Sequence, residues 1–151
     1  RLCDNFIVVH QTGQKNIEDT ESCSNSDYKP YPFIYSEMPD VMACADIVVS
    51  RAGANSIWEC AVLAKPMILI PLCGSGTRGD QEDNAAYFEK QGAALVLSRE
   101  NASGKMLKNS LEKMLIKENR ISYEDSCKKL IQGVKPAEKI SEILYNSIKN
   151  L

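Results

Sequence analysis

An α/β domain with a Rossmann-like, doubly wound parallel sheet and C-terminal helices is predicted by two features of this sequence. Short apolar runs, which suit strands covered on both faces, alternate with helical patterns along the chain. Polar, glycine-bearing segments follow two of these runs, at Asp46–Ser50 and Met67–Pro71. Strands that alternate with helices favour right-handed crossovers and therefore parallel pairing.

The strands are predicted from apolar runs bounded by turn residues. The segment between the first two runs, residues 15–29, is polar and weakly periodic, which predicts a short helix and a loop. The predicted strands are Phe6–His10, Pro32–Tyr35, Asp46–Ser50, Met67–Pro71 and Ala94–Leu97.

Three helices are predicted between these strands. The first begins after Ser36, as a cap, with Pro39 in its first turn, and runs through Cys44. The third covers Asp80–Gln91 and is closed by Gly92. The second begins near Ala54, stops at Lys65-Pro66, and places on one stripe the residues Ile57, Cys60, Ala61 and Ala64.

The chain turns helical after the last strand, and two further apolar faces are predicted there. One contains Leu107, Leu111, Met114 and Leu115, and the other contains Ala137, Ile140, Leu144 and Ile148.

Length and composition indicate one domain over residues 1–151 of an ordinary soluble class. The net charge of −2 provides no basic field that would draw the chain to nucleic acid or acidic lipid. The chain begins with Arg1 and contains no signal peptide or long apolar segment, which favours a part of a longer or processed protein.

The six cysteines form no Cys-x-x-Cys pair, and His10, the single histidine, lies in no metal-ligand spacing. We therefore expect no metal, no bound cofactor and a reducing, cytoplasmic compartment, with disulfides as the open alternative. A structural role for His10 is favoured over a catalytic one. The chain contains no serine elbow, zinc motif or Walker loop.

The turn before the second helix is a candidate anion site. The first amides of a helix lack partners and lie at the positive end of its dipole, and Gly53 and Ala54 are small enough for a phosphate to approach. Glu59 lies about 7–8 Å further along the axis, at ~1.5 Å per residue, where a carboxylate suits the vicinal diol of a ribose. The alternative is a glycine-started helix with a solvated glutamate.

A second polar group opens the helix at Asp80. Together, Asp80, Gln81 and Asn84 offer the acceptors and donors that sugar hydroxyls need, and Arg78 in the preceding loop, Gly74–Gly79, would suit a phosphate. The alternatives are that Asp80 is only an N-cap, Asn84 a solvated residue and the loop a mobile surface segment.

These segments resemble one family. The ordered motifs Asp46-Ile-Val-Val-Ser-Arg-Ala-Gly-Ala54 with Glu59, Lys65-Pro-Met-Ile-Leu-Ile-Pro71, Asp80-Gln81-x-x-Asn84-Ala85 and Glu89-Lys-x-Gly-Ala93 are similar to the C-terminal domain of MurG-type UDP-N-acetylglucosamine (UDP-GlcNAc) transferases, glycosyltransferase family 28. His10-Gln-Thr-Gly13 and Tyr35-Ser-Glu-Met38 are similar to further segments of that family.

The resemblance implies a GT-B glycosyltransferase whose C-terminal, Rossmann-like domain binds the UDP-sugar donor. It assigns Glu59 to the ribose hydroxyls, and the backbone of Tyr35 to the uracil edge. It places Arg51 beside the donor. The amides of Gly53, Ala54 and Asn55 would face the phosphates and sugar, and Asp80 and Gln81 would contact the GlcNAc hydroxyls.

The family's opening strand with its Gly-Gly-Ser-x-Gly loop, and its N-terminal acceptor domain, do not match any part of this chain. The resemblance therefore implies no catalytic residue here. In the full enzyme the acceptor would be lipid I, converted to lipid II for peptidoglycan, on the cytoplasmic face of the inner membrane, with membrane contact outside this chain. Asp80 also replaces the histidine that the family usually has before the glutamine.

Two other functions compete. One is a non-catalytic, partner-dependent subunit, like the single-domain eukaryotic relatives that act with a membrane partner in lipid-linked GlcNAc transfer. The other is a related glycolipid transferase or a UDP-GlcNAc epimerase-like domain. The lone His10 is a poor match for the epimerase, because that chemistry needs carboxylates and a histidine in one cleft. A plain α/β domain without ligand is disfavoured because these motifs occur together and in one order.

Overall fold

The computed structural model describes residues 3, 5–20, 25–74, 78–98, 101–133 and 136–149. The chain divides into two compact units, Arg1–Ala45 and Asp46–Leu151. Each unit contains parallel strands and helices, as the sequence predicts.

The first unit is built on a two-stranded parallel sheet. Strand β1, Val8–Gln11, pairs in register with β2, Tyr28–Tyr31. A short 3₁₀ helix, Glu18–Thr20, lies between them where a short helix and loop are predicted. Helix α1, Met38–Cys44, ends this unit.

The prediction of a strand at Pro32–Tyr35 is wrong, because β2 lies four residues earlier. The backbone ladder with β1 is extended at its two ends by Val8 N–H donating to the Asp27 carbonyl (2.8 Å) and Thr12 N–H to the Tyr31 carbonyl (2.9 Å). Ile34 N–H then donates to the Gln11 side chain instead, at 2.9 Å. These long-range hydrogen bonds, not local apolar content, decide which residues form the strand.

Ser36 is not the cap of α1, contrary to prediction. Glu37 occupies that position in a helical conformation, without a side-chain cap. The preceding turn is closed by Met38 N–H donating to the Tyr35 carbonyl at 3.2 Å. Pro39 lies in the first turn, as predicted.

The second unit is a three-stranded parallel sheet covered by helices, with strand order β3-β4-β5. Its central strand is buried on both faces: Met67, Ile68 and Leu69 are each 0% exposed. The elements are β3 (Val48–Ser50), α2 (Ala54–Val62), β4 (Met67–Leu69), α3 (Asp80–Lys90), β5 (Ala94–Val96), α4 (Gly104–Leu115), α5 (Lys117–Ile131) and α6 (Pro136–Lys149).

The predicted stripe of α2 is confirmed for Ile57, Cys60 and Ala61, which are buried. The helix ends before Ala64, which takes a left-handed φ of +51°. Ala64 N–H donates to the Ala61 carbonyl and Lys65 N–H to the Cys60 carbonyl, both at 2.9 Å. This pair of hydrogen bonds is a Schellman motif, which usually has glycine at the left-handed position.

Helix α3 ends with the same motif, here with the predicted glycine. Gly92 has a φ of +69°, and its N–H donates to the Glu89 carbonyl while Ala93 N–H donates to Phe88. The two helix ends thus share one geometry but differ in the residue that adopts it.

Helix α5 packs against the edge of the sheet where the strands begin. The buried Cys127 thiol contacts the carbonyls of Lys65 and Ala93, each at 3.6 Å, just before β4 and β5. Arg120 pairs with Asp46, before β3, at 3.3 Å. One helix therefore closes the amino-terminal edge of all three strands.

The apolar faces predicted for the C-terminal helices differ in burial. On α4, Leu111 and Met114 are buried. On α6, the side chains of Ile140, Leu144 and Ile148 are 57%, 58% and 71% exposed. Within the residues that the structure describes, no helix combines the length and apolar character needed to cross a membrane.

Replacement of Ala64 by glycine should stabilise the fold by about 0.5–1 kcal/mol, because it relieves a left-handed alanine. The same change at Ala86, an exposed position inside α3, should cost about 1 kcal/mol of unfolding free energy. Urea unfolding of the two variants and the unmodified chain measures both. Destabilisation by both variants would contradict the assigned backbone conformation of Ala64.

The buried thiols of the second unit, Cys60 and Cys127, should react far more slowly than the exposed Cys44 of the first unit. Burial, and to a lesser extent the nearby Cys127, raises the pKa of Cys60 to about 12. Burial, and to a lesser extent the charge of Glu124, raises the pKa of Cys127 to about 11. A pKa near 12 in place of 9.0 lowers the thiolate fraction of Cys60 at neutral pH by about a thousandfold.

Iodoacetamide at pH 7.5 should therefore label the exposed Cys44 long before Cys60 or Cys127, with the difference lost in urea. Peptide mapping by mass spectrometry reads the labelling of each cysteine. Equal rates in the folded chain would show that the two thiols are accessible.

Candidate functional site

The candidate site lies at the carboxyl-terminal edge of the three-stranded sheet. The Arg51–Gly53 turn leaves β3 and leads into α2, and a longer loop leaves β4 and leads into α3. Asn84 of α3 donates from Nδ2 to the Ala52 carbonyl at 3.1 Å, which ties α3 to the turn before α2. The structure therefore brings together the two segments that the sequence analysis singled out.

The amino end of α2 is open. Its N-cap, Gly53, is extended (φ −69°, ψ 134°), makes no side-chain cap, and is followed by no acidic residue in the first turn. Ala54 and Asn55 are exposed. A methyl group built on Gly53 would meet no atom within 4 Å. The first amides of α2 are thus accessible to an anion that approaches the backbone closely.

Each of the other helices of this unit has a side-chain cap or an acidic residue at its amino end. Helix α3 carries Asp80, Glu82 and Asp83 in its first turn, and α4 is capped by Ser103, whose hydroxyl accepts from Met106 N–H at 3.3 Å. Helices α5 and α6 each have a glutamate in the first turn. Among the described helices of the unit, α2 alone has neither a side-chain cap nor an acid there, so an external anion is best accommodated at α2.

The charged side chains near this turn are solvent-exposed. Arg51 precedes the N-cap of α2, Glu59 lies in the second turn of that helix, and Asp80 is the first residue of α3. In the described part of the chain none of the three forms an ion pair. Their charges are therefore available to a ligand without first breaking a salt bridge.

The start of α3 differs in one respect from the sequence analysis. The N-cap is Gly79, in a left-handed conformation with φ +81°, so the alternative in which Asp80 serves as N-cap is wrong. Arg78 is exposed immediately before it. Of the Gly74–Gly79 loop, residues 75–77 lie outside the described residues.

Gln81 and Asn84 both hold backbone groups, which the sequence analysis did not predict. Gln81 Oε1 accepts from Leu72 N–H at 3.0 Å, and Asn84 Nδ2 donates to Ala52. The partners are 9 and 32 residues away in sequence, so no local pattern indicates these contacts. The alternative in which Asn84 is merely a solvated residue is excluded by its bond.

Tyr35 and His10 lie in the first unit. Tyr35 is 75% exposed, with its ring centroid 4.6 Å from that of Phe33. His10 Nδ1 forms a hydrogen bond of 2.7 Å with the Tyr28 hydroxyl, across the β1–β2 pair. This bond supports the structural interpretation of His10.

Comparison with known families identifies most of the chain. Residues 2–142 match the family described as "Glycosyltransferase family 28 C-terminal domain". The matched region includes most of both units and every residue of the candidate site.

Relatives with high identity share one enzyme name, UDP-N-acetylglucosamine--N-acetylmuramyl-(pentapeptide) pyrophosphoryl-undecaprenol N-acetylglucosamine transferase. The protein of Treponema denticola is 40% identical over 95% of this chain and 40% of its own length. That of Geobacillus thermodenitrificans is 41% identical over 85% of this chain and 35% of its own length. The chain thus spans about two fifths or less of the length of these relatives.

Solved structures support the fold. MurG of Acinetobacter baumannii superposes with a TM-score of 0.70 at 22% identity, over 97% of this chain and 41% of that chain. The glycotransferase of kitacinnamycin superposes with a TM-score of 0.60 at 18% identity, over 80% and 31%. Both likenesses confirm the predicted Rossmann-like, GT-B type of fold.

Gly53 and Gly79 should respond differently to a methyl group. Gly53→Ala should change the unfolding free energy by less than about 1 kcal/mol, because its backbone is extended and its surroundings are open. Gly79→Ala should cost more than about 1 kcal/mol, because alanine is strained at φ +81°. Chemical denaturation measures both, and equal losses would mean that Gly53 serves the fold rather than the approach of a ligand.

Proposed function

This chain belongs to glycosyltransferase family 28, as its C-terminal domain, and we propose that it binds the nucleotide-sugar donor of a UDP-GlcNAc transferase. The observation that carries the proposal is the open amino end of α2, where uncapped amides adjoin a glycine with free space above it. A diphosphate is the ligand group that such a helix end suits best.

The proposed donor pose follows the helix. The diphosphate lies at the amides of Gly53, Ala54 and Asn55, with Arg51 beside it. Glu59, about 7–8 Å along the axis from Ala54 at ~1.5 Å per residue, accepts hydrogen bonds from the ribose hydroxyls. Its freedom from ion pairs within the described residues supports this role, because its carboxylate keeps both oxygens for a ligand.

The GlcNAc group is assigned to the start of α3. There, Asp80 supplies a carboxylate acceptor, and Gln81 supplies amide N–H donors, because its Oε1 is engaged by Leu72. Arg78, exposed just before the helix, is a further candidate for a phosphate. The assignment of the Tyr35 backbone to uracil rests on the family resemblance alone and stays a prediction.

The reaction proposed for the whole protein is an inverting transfer of GlcNAc to lipid I, which gives lipid II. The acceptor C4 hydroxyl attacks the sugar C1, the bond from C1 to the diphosphate oxygen breaks, and a base outside this chain takes the hydroxyl proton. The amides at α2 stabilise the negative charge that develops on the departing UDP, so the chemistry does not require a metal ion. We assign no catalytic residue to this chain.

The same proposal includes an expected location and expected partners. Lipid I would bind, at the cytoplasmic face of the membrane, to the part that precedes the matched region in the longer relatives. Nucleic acid is not an expected partner, because the net charge of −2 provides no basic field.

Removal of the Glu59 carboxylate should weaken the binding of the UDP-GlcNAc donor. Glu59→Gln should raise the dissociation constant of UDP-GlcNAc by about 10- to 100-fold, since a hydrogen bond to a charged group contributes about 1.5–3 kcal/mol. Calorimetric titration of the chain measures this loss. The matched control is Glu118→Gln, an exposed glutamate on α5, which should leave the affinity unchanged.

UDP-glucose, UDP-GalNAc and ADP-ribose complete the test of specificity. Weaker binding of each than of UDP-GlcNAc supports a UDP-GlcNAc site. Absence of UDP-GlcNAc binding by the folded chain, or equal binding of ADP-ribose, would refute the proposal for this chain.

A further inference from the structure

Two side-chain amides of α3, one turn apart, hold the two loops that border the candidate site. Gln81 Oε1 accepts from Leu72 N–H (3.0 Å) in the loop after β4. Asn84 Nδ2 donates to the Ala52 carbonyl (3.1 Å) in the turn after β3. Because residues three apart in a helix lie on the same side, one edge of α3 contacts both loops.

The chemistry of the backbone fixes the orientation of the Asn84 amide. A carbonyl can only accept, so the NH₂ group of Asn84 must face Ala52 and its Oδ1 must point away. Ala52 is 0% exposed, so its carbonyl has little access to water. Loss of the Asn84 donor would leave a buried carbonyl short of a partner, which costs more than the loss of a hydrogen bond at the surface.

The position of this bond in the chain matters for the site. Ala52 directly precedes Gly53, the N-cap of α2, and Ile57 N–H donates to the Gly53 carbonyl at 3.1 Å in the first turn of that helix. No side chain caps α2. Among the hydrogen bonds of the described residues, the bond from Asn84 is the one with a side-chain partner nearest in sequence to the open amides, and it comes from a different helix.

We propose that Asn84 is a positioning residue for the diphosphate: it holds the Ala52–Gly53 peptide so that the first amides of α2 converge on the phosphates. The inference rests on the proposed donor site and adds a residue that acts through the backbone rather than by touching the ligand. Preorganised donors bind an anion more tightly than mobile ones, because folding has already ordered them and binding loses less conformational entropy.

The chain contains a matched control. Asn119 Nδ2 donates to the Lys113 carbonyl at 2.8 Å, at the corner between α4 and α5. Asn119→Asp removes an asparagine-to-carbonyl bond of the same type, here an exposed one, and changes the net charge equally, but its contact lies at another corner of the unit. Asn84→Asp and Asn84→Ala remove the donor at the site with and without a new charge.

The test compares UDP with uridine, which lacks phosphate. NMR titration of the chain should show about a tenfold rise in the UDP dissociation constant for both Asn84 variants, with the uridine constant within about twofold of the unmodified chain. Asn119→Asp should change neither constant. A purely structural role of Asn84 would not distinguish the two ligands.

Amide hydrogen exchange provides a readout without ligand. Residues 52–57 should exchange faster in both Asn84 variants, and the amides of α5 should exchange at unchanged rates. If either variant fails to fold, the unmodified chain still tests the inference: UDP, but not uridine, should slow exchange of the Asn84 side-chain amide.

The outcomes separate the two proposals. UDP affinity that is unchanged in the Asn84 variants, or lost to the same degree as uridine affinity, overturns the positioning role and leaves the donor site intact. If the unmodified chain binds no UDP, the proposed function and the ligand half of this inference both fail. Unchanged exchange at residues 52–57 refutes the anchoring itself.

Discussion

Burial of strand β4 is the constraint on which the second unit depends. Its three residues are fully buried and lie between β3 and β5. A strand covered on both faces must find all its backbone partners in neighbouring strands, and the ladder continues past it through Ile70 N–H to the Ser50 carbonyl and Leu97 N–H to the Leu69 carbonyl, both at 2.9 Å. The connecting segments are consequently forced to begin and end at two common edges of the sheet.

These two edges have different roles. At the amino-terminal edge, α5 contacts the residues just before each strand, through Arg120 with Asp46 and through the Cys127 thiol with Lys65 and Ala93. At the carboxyl-terminal edge the turns are polar, and α2 begins without a cap. Packing on one edge leaves the other for a ligand, which is the usual division in open parallel sheets.

Much of this arrangement could be predicted from the sequence. The helix from Ala54, the buried strand at Met67 and the glycine that closes α3 follow local rules of periodicity, apolar runs and backbone conformation, and all three are confirmed. The position of β2 could not be predicted, because the Tyr28–Tyr31 segment, with a lysine and a proline, is selected by its register with β1 and not by its own composition.

For the candidate site, the sequence by itself determined which polar residues follow β3 and β4, and hence that they meet at one edge of a parallel sheet. Only the tertiary structure decided which of these side chains bond to the backbone and which remain exposed. Asn84 and Gln81 form hydrogen bonds with backbone groups 32 and 9 residues away, whereas Glu59 and Asp80 remain solvent-exposed. The reason is physical: the side-chain partners of loop backbone groups are chosen by proximity in the fold, which local sequence patterns do not encode.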